Sequence, residues 1–213
     1  MEKELTDKNL NRYMFMSLMF ITLLITSNLL VVKIISIGSL VTTPATFVYP
    51  FTFILGNIIT ELYGLKNARK VILAGFIAEL LLTFFTYISI FMPYPSYWDG
   101  QEAFKMVFMI TPQIVIGSLI AYSVGELLNS GIAVKVKKLT KGEHLWMRII
   151  SGTVIGQIFD TLIFYSIAFF ARASFSIVVQ MIILDLAVKV LVQLIFGTPL
   201  SYLIVKKLNP SQK

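Results

Sequence analysis

Asp160 stands in an otherwise uncharged run from residue 149 to 171, at the depth where a chain crossing a lipid bilayer tolerates a carboxylate least. An ionisable group at the centre of a spanning helix costs about 2.5–3.5 kcal/mol on insertion scales. Such groups usually face a protein interior or a wet cavity, where they bind or relay a solute. Thr153, Gln157, Asp160, Thr161 and Phe164 recur at three- and four-residue spacing, so they share one helical face. Thr153 reads as an interhelical hydrogen bond. Asp160 reads as a ligand or coupling residue, because a neutral side chain would join helices without the insertion penalty. Asp185 and Lys189 follow four residues apart, acid before base, which is the better orientation on a helix. They fit equally a mutually neutralising ion pair and a pair that changes partners during transport. Glu79 is a further acid at depth and a candidate for coupling. Asn57 and Asn28 add polar groups at depth, and Glu126 reads as the interfacial end of its helix.

The elements that position these groups follow from composition. The chain has 213 residues, 57 % of them hydrophobic and only 14 % charged, with a mean hydropathy of +0.83. A soluble domain is roughly 45–50 % apolar and about 25 % charged, so the chain reads as one all-α integral membrane domain over residues 1–213. The absence of cysteine excludes disulfides, thiolate metal sites and a cysteine nucleophile. His144 is the sole histidine and lies in a charged loop. No cofactor and no metal site is therefore expected. No Gly-x-Ser-x-Gly, His-Glu-x-x-His or Asp-rich motif is present, so no catalytic residues are assigned and an intramembrane enzyme is a remote alternative.

Cutting the sequence at its charges leaves six spans near residues 13–32, 44–63, 71–92, 106–125, 149–171 and 175–205. The first five are close to the ~20 residues that a spanning helix needs, and the last is long enough to be tilted or to begin outside the core. The first apolar run is too long for a signal peptide and lacks a small-residue cleavage site. On this scheme fourteen Lys and Arg residues, among them Arg12, Arg69 and Lys137, fall on one side. Only Lys33, Lys105 and Arg172 fall on the other. Excess Lys and Arg marks the cytoplasmic face, so both termini are expected in the cytoplasm and the protein in the plasma (inner) membrane of a bacterial cell. The net charge of +7 is then a topology signal with attraction to anionic lipid, and nucleic acid is not an expected partner.

Residues 54–62 (ILGNIITEL) echo residues 154–162 (VIGQIFDTL). The echo makes helices two and five equivalent members of two three-helix halves, inverted in the membrane as in many transporters. Pro50 is expected to interrupt the second helix and free a carbonyl. The loop from residue 93 to 105 carries Tyr94, Tyr97 and Trp98, which reads as an interfacial aromatic belt.

Several segments resemble one family, the integral membrane queuosine-precursor transporters of the vitamin-uptake-transporter type. They are ITSNLLV (25–31), YPFTFILGNIITELYG (49–64) with ARK (68–70), SGTVIGQIFDTLIF (151–164) and LDLAVKVL (184–191), with Pro199 beyond. The specific element is the Asp-Thr of helix five together with Asp-xxx-Lys in helix six. The resemblance implies a multi-pass carrier that imports 7-deazaguanine compounds, such as 7-cyano-7-deazaguanine, or queuine or queuosine, for tRNA modification. Family members often carry an acid at the position of Asn57, which puts substrate preference or coupling in this chain in question. The family also looks like the substrate-binding subunits of energy-coupling-factor vitamin importers, and such a subunit is the alternative reading. Those subunits commonly have small residues at four-residue spacing in helix one. Here that helix reads MFMSLMFITLLITSN, without alanine, which favours a self-sufficient carrier; a homodimer is compatible with it.

The residues suit that substrate class. A 7-deazaguanine is flat and neutral, with a ring N–H beside an exocyclic amine. Asp160 would accept from both, Asp185 is a second acceptor, and Gln157 or Asn57 would donate to the ring carbonyl. Phe164, Phe51, Phe47, Tyr49, Phe159 or Tyr165 would stack on a face. Adenine would leave the buried carboxylate unpaired and be rejected.

Overall fold

The structure is a computed structural model describing residues 7–140, 145–197, 199–200 and 203–204. In chain order it comprises α1 (Asp7–Leu30), a hairpin of β1 (Ile35–Ile37) and β2 (Leu40–Thr42), α2 (Ala45–Val48) and α3 (Pro50–Tyr63). There follow α4 (Leu65–Ile90), α5 (Gln101–Phe108), α6 (Thr111–Leu139), α7 (Leu145–Phe169) and α8 (Phe175–Val192), which ends in a π-helical turn, Gln193–Gly197. Six helical segments among the described residues are long and apolar enough to cross a membrane, with α2 and α3 forming one of them. Helices are the expected solution in lipid, since each satisfies its backbone groups within its own segment.

The apolar pattern is turned outward. Phe15, Leu18, Leu73, Phe84, Phe85 and Ile183 are exposed, whereas Ser27, Thr52, Thr153, Gln157, Asp160, Asp185 and Lys189 are buried. Lipid can cover the first group but offers nothing to the second, so the polar side chains gather between helices. Two apolar clusters flank them. One holds Phe20, Leu24, Phe53 and Tyr122, the other Val31, Ile114, Tyr165 and Met181.

Local sequence sets the joints. Gly38 has φ +62° at the head of the two-residue turn that pairs Ile37 with Leu40 and Ile35 with Thr42, a turn that needs positive φ at its first position. Gly64, at φ +83°, is the single residue between α3 and α4. Only glycine takes that backbone without strain. Pro50 opens α3 and divides the second span. Because the spans alternate in direction, the start of α1, the α3–α4 joint and the end of α6 share one end, here termed the basic end. The β-hairpin and the α7–α8 turn mark the opposite, hairpin end.

The fourth span departs from the expected 106–125. Met106 belongs to the short α5, which ends at Phe108, and α6 starts only at Thr111 and runs to Leu139. Pro112 occupies the first turn of α6, where a missing N–H is harmless. At the far end Glu126 does not close the helix. It sits partly buried, accepts from Asn129 Nδ2 at 3.4 Å, and nothing after it breaks the helix until Thr140. Charge alone was a poor stop signal there.

Helices α6 and α7 touch backbone to backbone. A Cβ on Gly156 would lie 2.7 Å from the Gly125 carbonyl oxygen, and one on Gly125 would lie 2.9 Å from the Gly156 oxygen. Small residues at a crossing allow such approach in membranes. It brings Asp160, one turn beyond Gly156, deep into the bundle.

Candidate solute-binding site

The site starts from helical periodicity on α7 and α8. Asp160 and Thr161 face α8, and Asp185 and Lys189 stand one turn apart on it. Lys189 Nζ lies 2.8 Å from Asp185 Oδ2 and 3.1 Å from Asp160 Oδ2, and it donates to Thr161 Oγ1 at 2.9 Å. Those three partners match the three N–H groups of an ammonium. Thr161 Oγ1 in turn donates to Asp185 Oδ2 at 3.2 Å. Tyr49, from the α2–α3 joint, donates to Asp160 Oδ1 at 3.2 Å, and its ring centroid lies 4.6 Å from Lys189 Nζ, within reach of a cation–π contact. All three ionisable groups are almost fully buried. With both acids and the lysine ionised, the cluster carries one net negative charge.

The cluster walls a cavity toward the hairpin end. Helix α1 contributes Ser27 and Asn28, the turn after it Val31, the segment after the hairpin Thr43 and Ala45, α6 Ser118, and α7 Phe164 and Tyr165. About 20 Å³ is open to the centre of a water molecule, room for roughly one water. A bicyclic base is several times larger, so admitting one requires the helices to part. Thr42 and Thr46 share a hydrogen bond at 2.7 Å, with Thr46 3.5 Å from the Tyr165 hydroxyl. These bonds tie the hairpin segment over the cavity.

Of the residues expected at a site, Asp160, Asp185, Lys189 and Phe164 meet at this cavity. Glu79 stands behind the wall, accepting from Asn28 Nδ2 at 2.6 Å. Asn57 does not reach the cavity; its Nδ2 donates to Thr153 Oγ1 at 3.2 Å, joining α3 to α7. Gln157 is fully buried, and neither of its amide atoms has a partner among the described residues. It lies one turn from Asp160 toward the basic end and does not line the cavity. Gln193, one turn beyond Lys189, is equally buried and unpartnered.

Phe51, expected from the sequence to stack on a ligand, does not line this cavity. Phe51 is 42 % exposed and faces outward, as do Phe47 and Phe159. Tyr49, at the joint before α3, and Phe53 on α3, four apart, face inward, and a residue two positions away points to the opposite side. The aromatic walls are instead Tyr49, Phe164 and Tyr165.

Sequence reasoning missed Ser27, Thr43 and Ser118 as wall residues, and the hydroxyl of Tyr49 as a ligand of Asp160. Ser118 had one signal: with Tyr122 and Gly125 it forms a row of three on one face of α6 at four- and three-residue spacing. The assembled site offers carboxylate acceptors, an ammonium donor, an amide and aromatic faces in a buried setting. Such a set is complementary in hydrogen bonding to a flat polar ring with adjacent N–H donors and a nearby acceptor.

The family described as "Putative vitamin uptake transporter" matches residues 43–204. The chain is 26 % identical over 189 residues to the "Queuosine precursor transporter" of Escherichia coli (strain K12), covering 87 % of this chain and 83 % of that protein. It is 28 % identical over 188 residues to the "Probable queuosine precursor transporter" of Bacillus subtilis (strain 168), covering 88 % and 81 %. A protein of the same description from Haemophilus influenzae is 28 % identical over 131 residues, covering 62 % of this chain and 53 % of that one. No solved structure matches the chain. Six spanning helices around a buried charged cavity agree with a match over most of the sequence: the chain belongs to this vitamin uptake transporter family of membrane proteins.

Proposed function

We propose that the protein imports queuosine precursors, 7-deazaguanine bases, across the bacterial plasma membrane with both termini in the cytoplasm. The names of its relatives support the substrate class, and the distribution of Lys and Arg supports the orientation. The observation that carries the chemistry is the bridging of Asp160 and Asp185 by Lys189 at the cavity wall. Lys189 holds Asp185 at the shorter distance and also has Thr161, so it can release Asp160 without losing its counter-ion.

In the loaded carrier the ring N–H and exocyclic amine of the base donate to Asp160. Lys189 keeps Asp185 and Thr161 and turns its third N–H to the ring carbonyl. Tyr49 keeps its bond to Asp160 Oδ1, since each carboxylate oxygen has more than one lone pair. Phe164 and Tyr165 cover the faces of the ring. The exchange conserves charge, and each new hydrogen bond to a charged group contributes about 1.5–3 kcal/mol. Closure over the base toward the hairpin end, followed by opening toward the basic end, completes import.

The test is uptake of labelled 7-cyano-7-deazaguanine into cells that neither synthesise it nor carry another importer. Expression of the protein is expected to restore uptake and the queuosine modification of tRNA, with unlabelled adenine failing to compete. Absence of uptake by a protein shown to be in the membrane removes the substrate assignment.

A further inference from the structure

Among the described residues Glu79 is the one buried acid that the central cluster does not use. It is 1 % exposed, Oε1 accepts from Asn28 Nδ2, and Oε2 has no partner among the described residues. No ion pair compensates it among the described residues. The hydroxyl of Thr83, one turn along α4, is also buried and unpartnered, as is that of Ser27 beside Asn28. Of the elements packed on α4, α1 presents Asn28, which also donates to Ser118 of α6 at 3.1 Å. Across the cavity that Asn28 and Ser118 line stand the titratable groups Tyr49, Asp160, Asp185 and Lys189. Glu126 on α6 is eight residues from Ser118, and Arg69 on α4 is ten from Glu79, about 12 Å or more along a helix.

An ionised carboxylate with one hydrogen bond at this depth is uncompensated, so the group is neutral or holds a cation. A metal ion needs a shell of oxygens, about six even for magnesium, and no group of three acidic or histidine side chains occurs among the described residues. Asn28 moreover turns its amide N–H toward the acid. A proton needs one oxygen, and Oε2 supplies it. Asn28 and Ser118 also line the solute cavity, so the residue that holds Glu79 is itself part of the cavity wall. When a solute draws Asp160 away from Lys189, buried negative charge is less well compensated. A proton on Glu79 offsets that change, and two ligands that each favour the other's binding are coupled in both directions.

We propose that Glu79 is the proton-binding site that couples solute import to a proton gradient, with the proton entering from the hairpin end onto Oε2 and leaving to the basic end as the carrier opens there. The substrate used below rests on the function proposed above, and the spectroscopic arm does not. Full-length protein reconstituted in liposomes is assayed for accumulation of labelled 7-cyano-7-deazaguanine under an inward proton gradient, and for exchange without a gradient. Wild type is expected to accumulate the label. Glu79→Gln is expected to lose accumulation at least tenfold while still exchanging, and Glu79→Asp to recover it in part. In infrared spectra of purified protein at neutral pH, a protonated-carboxyl band is expected in wild type and missing in Glu79→Gln. Accumulation by Glu79→Gln equal to wild type overturns the proposal, as does accumulation driven by sodium alone. So does a carboxyl band absent from wild type or unchanged by the substitution. Failure of wild type both to accumulate and to exchange, with the band present and lost in Glu79→Gln, removes the substrate and leaves the proton site standing.

Discussion

Lys189 on α8 reaches Asp160 on α7 at 3.1 Å while remaining within 2.8 Å of Asp185 on its own helix. One ammonium thereby joins two helices and two acids, and the pair across the helices is the longer of the two. Breaking a buried ion pair by removing one partner is costly, about 3–5 kcal/mol, because it leaves an unpaired charge. Here the lysine has a second acid in place, so opening the interhelical pair leaves the ammonium paired.

Asp160→Asn is expected to separate binding from folding. Lys189 keeps Asp185 and Thr161, and an amide is cheaper to insert than a carboxylate, so expression and thermal stability should match wild type. The base loses two charge-assisted bonds, about 3–6 kcal/mol at most. Titration of purified protein with 7-deazaguanine ligands should show affinity lower by two orders of magnitude or more, with adenine as control. Unchanged affinity would take Asp160 out of the site.

Removal of the lysine should do the opposite. Lys189→Met leaves two buried acids without a cation, and a loss of about 3–5 kcal/mol in stability is expected. Adding Asp185→Asn returns the cluster to one acid held by Tyr49, so the melting temperature should recover. Uptake should not recover, because the donor to the ring carbonyl is gone. A double variant that transports at the wild-type rate would make the lysine purely structural.

The sequence revealed the groups on each helix more readily than their meetings across helices. Asp185 and Lys189 were legible as a pair because four-residue spacing alone places them on one face. The bond from Lys189 to Asp160 depends on how α8 lies against α7, which no spacing within either helix encodes. Among the six aromatic candidates, the register of α3 and the packing of α7 decided that Tyr49, Phe164 and Tyr165 face in while Phe51 and Phe159 face out. The hairpin had a signal, two short runs around Gly38-Ser39, in the stretch between the first two spans. Glu126 shows why charge is a poor mark of a helix end: a neighbouring Asn129 makes it tolerable inside one.

Packing of α6 on α7 gives a prediction independent of any ligand. Gly156→Ala places a methyl group 2.7 Å from the Gly125 carbonyl oxygen and 3.0 Å from Asn129 Cβ. The helices must separate, and overpacking of this kind costs about 1–3 kcal/mol. Gly131→Ala is the control, since a Cβ there meets nothing within 4 Å and the helix gains roughly 1 kcal/mol from losing a glycine. Thermal unfolding in detergent should fall for the first variant and hold or rise for the second. Equal behaviour of the two would contradict the close approach.

Orientation is open to reporter fusions. Fusions after Gly100 and after Thr140 should report opposite sides of the membrane, the second cytoplasmic, from the bias of Lys and Arg toward that side. A reporter after Thr140 that is active only outside the cell would invert the import path drawn here.

Tyr49 offers the finest cut into the site, because its two contacts are chemically separable. Its hydroxyl donates to Asp160 Oδ1 at 3.2 Å, and its ring stands 4.6 Å from Lys189 Nζ. Tyr49→Phe keeps the ring and the cation–π contact but withdraws one donor from a buried carboxylate, a change of about 1.5–3 kcal/mol. Asp160 is then less well held for the base, so affinity for a 7-deazaguanine should fall about tenfold, and the melting temperature should fall with the loss of that buried bond. Tyr49→Leu removes the ring as well, exposing the ammonium to an aliphatic wall, and both affinity and melting temperature should drop. Binding isotherms and melting curves of the two purified variants give the comparison. If Tyr49→Phe binds as tightly as wild type, the hydroxyl plays no part in presenting Asp160, and the aromatic ring alone accounts for tyrosine at this position.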